Sequence, residues 1–131
     1  MRAEVYFNLH KRLFSVRALE GEHKGRVVDH LPECAIRGAK FVVSEAGRQR
    51  VLREQKKNVH AYVRGELVED SGDYIKTMAK LANDAGTLRA LKYNPYMYNS
   101  FVEESTEEPI YEAGVCLMMR VLDSHPVMFA V

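Results

Sequence analysis

Residues 47–65, GRQRVLREQKKNVHAYVRG, decide how this chain is read. Their first half has the 3.6-residue spacing of a short helix: Val51 and Leu52 fall on one side with the stem of Arg48, while Arg50, Arg53 and Lys57 gather on the other. From Val59 the period changes to two. Val59, Ala61 and Val63 then share one face of a strand, and His60, Tyr62 and Arg64 share the opposite face. Ser44 and Glu45 supply the helix start, a hydroxyl to cap free N–H groups and a carboxylate in the first turn to complement the dipole. A basic helix running into a strand of mixed character makes the chain α+β.

Outward from this stretch the same reasoning gives mostly strands. Residues 3–9 alternate, with Val5, Phe7 and Leu9 on one face, and residues 14–17 form the return partner across a turn at His10, Lys11 and Arg12. Strands over 26–30 and 35–43 follow, separated by Pro32. Beyond the basic stretch, Ser71 is read as the cap of a second helix whose apolar stripe is Ile75, Met78, Leu81 and Ala82 and whose stop is Gly86. Strands return over 88–93, 100–103, 113–122 and 127–131. With no repeat, low-complexity run or linker, the expectation is a single domain over residues 1–131: a small antiparallel sheet of hairpins with two helices packed on it.

A composition that is 47% hydrophobic and 28% charged excludes disorder and collagen-like repeats. No apolar run approaches the roughly 20 residues that span a bilayer, and the first residues lack the apolar core of a signal peptide, so a cytoplasmic location without membrane attachment is expected. Cys34 and Cys116 read as buried thiols of a reducing compartment, and the five histidines lack metal-ligand spacing. The net charge of +1 conceals a division. Residues 1–65 hold fourteen Lys and Arg against seven Asp and Glu, and residues 66–131 hold five against eleven. The first half is thus the anion-binding candidate, and a chain with opposite charge in its two halves is expected to associate as a homo-oligomer.

Carboxylate pairs occur at Glu103 and Glu104, Glu107 and Glu108, and Asp70 and Asp73, all in stretches that read as exposed loops, where nothing tunes a catalytic pKa. No phosphate loop or nucleophile elbow occurs, so the chain is read as a binder without cofactor or metal, not as an enzyme. Binding chemistry has better support. Arg makes bidentate contacts with phosphate, and aromatic rings give bases a surface for stacking. Residues 92–101, KYNPYMYNSF, concentrate Tyr93, Tyr96 and Phe101 with Asn94, whose amide suits a base edge or a ribose hydroxyl. The candidate ligand-binding residues are therefore Arg50, Arg53, Lys57, His60, Tyr62, Arg64, Tyr93, Asn94, Tyr96 and Phe101. The competing reading makes the cationic helix face a solvated face and Tyr93 and Phe101 core plugs.

Residues 47–67, GRQRVLREQKKNVHAYVRGEL, and 92–102, KYNPYMYNSFV, together with the opening VYFNLHKRLFSVR, resemble a small protein family encoded by bacteriophages and prophages. Within that group the chain is similar to the Thoeris anti-defence sponge, which captures cyclic ADP-ribose signals made by TIR-domain enzymes without degrading them. The resemblance implies a non-enzymatic phage counter-defence protein that sequesters a small nucleotide signal of cyclic ADP-ribose or cyclic nucleotide type. Such a ligand offers a pyrophosphate to Arg, an adenine to Tyr or Phe, and ribose hydroxyls to Asn and His. The alternative function is a protein that binds nucleic acid or inhibits a host nucleic-acid-processing complex.

Overall fold

The computed structural model describes residues 1–55, 59–93, 101–121 and 125–131. β1 (Arg2–Asn8) and β2 (Leu13–Ala18) form a hairpin in which Glu4 stands opposite Arg17, Tyr6 opposite Ser15 and Phe7 opposite Phe14. Its turn is held by Asn8, whose side-chain oxygen accepts the His10 and Lys11 N–H groups, while Arg12 adopts a left-handed conformation and donates to the Asn8 carbonyl. β3 (Val27–Leu31) pairs with the free side of β2 and forms one edge of the sheet. There the Asp29 carboxylate accepts the His30 N–H, occupying a donor on an edge strand.

The central strand is β4 (Glu33–Val43). Cys34, Ala35 and Ile36 are all buried, so it is covered on both faces there and departs from the apolar–polar alternation of an outer strand. One side of β4 pairs with β5 (Ala61–Leu67) and the other with β8 (Glu112–Met119). The remaining strands are β6 (Arg89–Lys92), β7 (Val102–Glu103) and β9 (Val127–Ala130). Among the described residues all nine strands form one sheet, in the order β3-β2-β1-β5-β4-β8-β9-β6-β7, with every pair antiparallel.

This corrects the expected α+β architecture, a small sheet of hairpins under two helices. The molecule is dominated by one extensive sheet, and its order is not that of consecutive hairpins, because β5 enters between β1 and β4. The helices are α1 (Glu45–Glu54) and α2 (Ser71–Ala85), and α2 packs on β4. Among the described residues α1 has at most slight contact with the strands.

One sheet face carries the larger apolar cluster, including Val5, Phe14, Ile36, Phe41, Val63, Cys116 and Met118. These side chains are nearly solvent-free although the sheet itself supplies almost all of them, so the sheet must curl over this face. The contact between β2 and β4, which are not sheet neighbours, is the sign of that curl. On the opposite face, Ala35, Val115 and Leu117 are covered by Ile75, Tyr74, Met78 and Ala79 of α2. Leu81, expected in the α2 stripe, is 60% exposed, while Tyr74, two turns away, takes a place in the contact. Asp70, not Ser71, holds the N-cap position, while Gly86 closes the helix in a left-handed conformation as expected.

The curl also needs a local irregularity. β4 slips register against β5 between Arg37 and Lys40, with Gly38 at φ +58°, so Arg37 and Lys40 share a face despite lying three residues apart. Gly65 lies against this bulge. A Cβ there would stand 2.6 Å from both the Arg37 carbonyl oxygen and Ile36 Cγ2.

Candidate ligand-binding face

The helix α1 begins as its sequence dictates. Ser44 Oγ accepts the Gly47 N–H at 3.2 Å, and Glu45 binds Arg48 through two hydrogen bonds of 2.8 and 3.0 Å. The bonds from Arg48 and Gln49 hold the Glu45 carboxyl down at about 2. Arg50 and Arg53 lie exposed on this helix, and Lys57 lies outside the described residues.

The expected row of His60, Tyr62 and Arg64 divides. The β5 ladder starts at Ala61, and His60 is 7% exposed with its ring 5.1 Å from that of Tyr93. Tyr93 continues to Phe101 at 5.2 Å, and Phe101 to Phe41 at 5.1 Å, which carries the row into the larger apolar cluster. Phe101 is 4% exposed and is a core residue. Burial pushes the Tyr93 hydroxyl up to about 12, against the opposing pull of the nearby Arg48. Asn94 and Tyr96 lie outside the described residues.

Tyr62 and Arg64 point the other way, onto the part of the α2-side face formed by β2, β1 and β5. Here they meet three residues from the first hairpin. Glu4, 5% exposed, accepts Arg64 Nη2 at 2.7 Å and Nε at 3.1 Å on Oε2, and Arg17 Nη1 at 3.3 Å on Oε1. A buried carboxylate needs partners for its oxygens, and here two guanidinium groups supply them. The Tyr6 and Tyr62 rings meet edge to face at 6.0 Å. The Arg17 guanidinium carbon lies 5.9 Å from the Tyr6 centroid and 5.7 Å from that of Tyr62, within cation–π range of both. The guanidinium side chains stay partly accessible, 33% for Arg17 and 40% for Arg64.

Glu4, Tyr6 and Arg17 were not among the residues expected to bind. The signal for them lies in the first hairpin: a turn over residues 9–12 sets Glu4 opposite Arg17, and alternation places Tyr6 on the same face as Glu4. What no local pattern gives is the pairing of Glu4 with Arg64, which comes from β5 docking beside β1.

Other constellations in the molecule have structural explanations. Ser15 Oγ lies 2.9 Å from His30 Nδ1, a nucleophile–base distance, yet Ser15 is fully buried and out of reach of a substrate. Burial pushes the Cys34 thiol up to about 12 and raises Cys116 as well, the opposite of an activated nucleophile. Among the described residues no group of His, Cys, Asp and Glu is arranged to hold a metal ion, and no helix is long and apolar enough to cross a membrane.

Fold and face together define a single-sheet protein presenting an arginine–tyrosine surface on adjacent strands. The chain belongs to a phage protein family: the family model described as Mycobacterium phage L5 gene 82 protein matches residues 1–122. The Gene 82 protein of Mycobacterium phage L5 is 38% identical over 120 residues, covering 86% of this chain and 86% of the relative. No solved structure matches.

Proposed function

We propose that this phage protein binds single-stranded nucleic acid across the open face of β2, β1 and β5, without catalysing a reaction, in the host cytoplasm. The observation that carries the reading is the convergence of Arg17 and Arg64 with Tyr6 and Tyr62 on neighbouring strands. Aromatic side chains on adjacent strands give unpaired bases a stacking surface, and guanidinium groups beside them meet the backbone phosphates. An open face suits an extended ligand. Two depressions, one beside Gly21 and Val28 and one beside Gly38 and Gly114, contain neither tyrosine.

Capture of a small cyclic nucleotide, as the likeness to the Thoeris sponge implies, is the second reading. One observation favours it: the Tyr93 hydroxyl is buried beside Arg48 without a hydrogen-bond partner among the described residues, as an atom waiting for a ligand would be. Self-association, proposed from the division of charge along the chain, would help to enclose such a ligand and is measured by light scattering of the free protein at low and high salt.

Fluorescence anisotropy with labelled oligothymidylate and a matching RNA tests the main reading. Binding should weaken with salt, and Tyr62→Ala and Arg64→Ala should each lower affinity on the order of tenfold, as loss of one stacking or charged contact does. No binding of either oligonucleotide, together with a thermal shift by cyclic ADP-ribose that Tyr93→Phe abolishes, would reject nucleic-acid binding in favour of the second reading.

A further inference from the structure

Five of the charges on this face form a row across five strands. In register, Arg17 of β2 stands beside Glu4 of β1, Glu4 beside Arg64 of β5, Arg64 beside Lys40 of β4, and Lys40 beside Glu112 of β8. Three cations and two carboxylates leave one net positive charge. Glu4 stands between the two arginines with both carboxylate oxygens engaged, and its burial prevents it from swinging away when an anion arrives.

Each guanidinium has five N–H donors, and Glu4 takes only part of each set. Nη1 of Arg64, and Nε and Nη2 of Arg17, have no hydrogen-bond partner among the described residues, and both side chains reach solvent. Strands two apart in a sheet lie roughly 10 Å from each other. Because both arginines bind the carboxylate between them, a phosphate taken by the free donors of either one lies within about a guanidinium's width of Glu4. A singly charged phosphate there neutralises the row. A doubly charged one leaves surplus negative charge next to a carboxylate that cannot leave, which is unfavourable at such short range.

We propose that Glu4 tunes this face to accept the singly charged internal phosphodiester of a strand, in preference to the doubly charged terminal phosphate or pyrophosphate of a free nucleotide. The inference rests on the nucleic-acid reading above and makes Glu4 a specificity-setting residue. Its role is distinct from simple support of the fold, because removing its charge should change which phosphate is preferred.

The test is a competition assay with labelled oligothymidylate lacking terminal phosphates, displaced by the same oligomer with or without a 5′-phosphate, or by inorganic pyrophosphate. For the wild-type protein the 5′-phosphate should change affinity less than twofold, and pyrophosphate should displace the label at least tenfold less effectively than the oligomer. Glu4→Gln keeps an oxygen acceptor and removes the charge. It should raise preference for the 5′-phosphorylated oligomer about tenfold and make pyrophosphate an effective competitor. A wild-type protein that already prefers the terminal phosphate tenfold overturns the proposal, as does a Glu4→Gln protein that changes both affinities by the same factor. Should Glu4→Gln fail to fold by circular dichroism, the wild-type comparison decides alone. If neither oligomer binds, the nucleic-acid reading falls first and this inference with it; tight binding with the wrong phosphate preference removes this inference only.

Discussion

Gly65 shows how one residue can be fixed by a neighbour distant in sequence. Its Cβ would meet a backbone oxygen and an isoleucine methyl at 2.6 Å, and the oxygen belongs to the β4 bulge that brings Lys40 beside Arg64. Backbone cannot step aside as a flexible side chain can, so the substitution forces strands apart or breaks the bulge. We expect Gly65→Ala to lower unfolding free energy by about 2 kcal/mol or more, in the range for overpacked cores, measured by urea denaturation. Gly38→Ala is the control. Its Cβ would meet nothing within 4 Å, so the strain is that of its left-handed backbone alone, about 1 kcal/mol. Equal costs at both sites would contradict the role given to Gly65. Neither effect was legible in the sequence, since a glycine in an alternating strand says only that something approaches closely, not what.

At the scale of elements, the helices separate what periodicity reveals from what it does not. The hydroxyl cap at Ser44, the acid in the first turn of α1 and the Gly86 stop of α2 were all legible, because each is a local device with a fixed residue type. The place of His60 was not. Alternation assigns it to the face of Tyr62 and Arg64, but the ladder begins one residue later, and the ring turns into the aromatic row of Tyr93 and Phe101. Its ring contact with Tyr93 outweighs the period of a strand that has not yet started. The α2 stripe makes a similar distinction testable. Ile75 is 1% exposed against Val115 and Leu117, so Ile75→Ala should cost about 3 kcal/mol by leaving a cavity. Leu81 faces solvent, and Leu81→Lys should fall within about 0.5 kcal/mol of wild type. Thermal melts of the two variants give the comparison; a large loss at Leu81 with little at Ile75 would show that the other side of α2 is the packed one.

For the whole molecule, the strands themselves were legible and their order was not. Strand positions follow from turns and alternation within a few residues, whereas the order depends on which edges find each other. β4 takes β5 on one side and β8 on the other, and these partners are separated from each other by α2 and two strands of chain. The consecutive buried residues Cys34, Ala35 and Ile36 mark β4 as doubly covered, which implies partners beyond the first hairpins. A consequence concerns independence of the two halves. Residues 1–67 contain β1 to β5, including every member of the arginine–tyrosine face, yet they lack the β8 edge that completes β4 and the α2 residues that cover Ala35. Their apolar cluster would also lose Leu91, Phe101, Ile110, Cys116, Met118 and Ala130, all buried in the intact chain. An apolar strand edge left open invites pairing with other chains, and a core stripped of six buried side chains does not offset the entropy of ordering the rest. The fragment 1–67 should therefore show no cooperative melt and should aggregate on concentration, while the intact chain unfolds in one transition reported alike by circular dichroism and tyrosine fluorescence. A soluble fragment with dispersed amide resonances would mean instead that the first five strands form a folding unit of their own, with the later strands added to a sheet already stable without them.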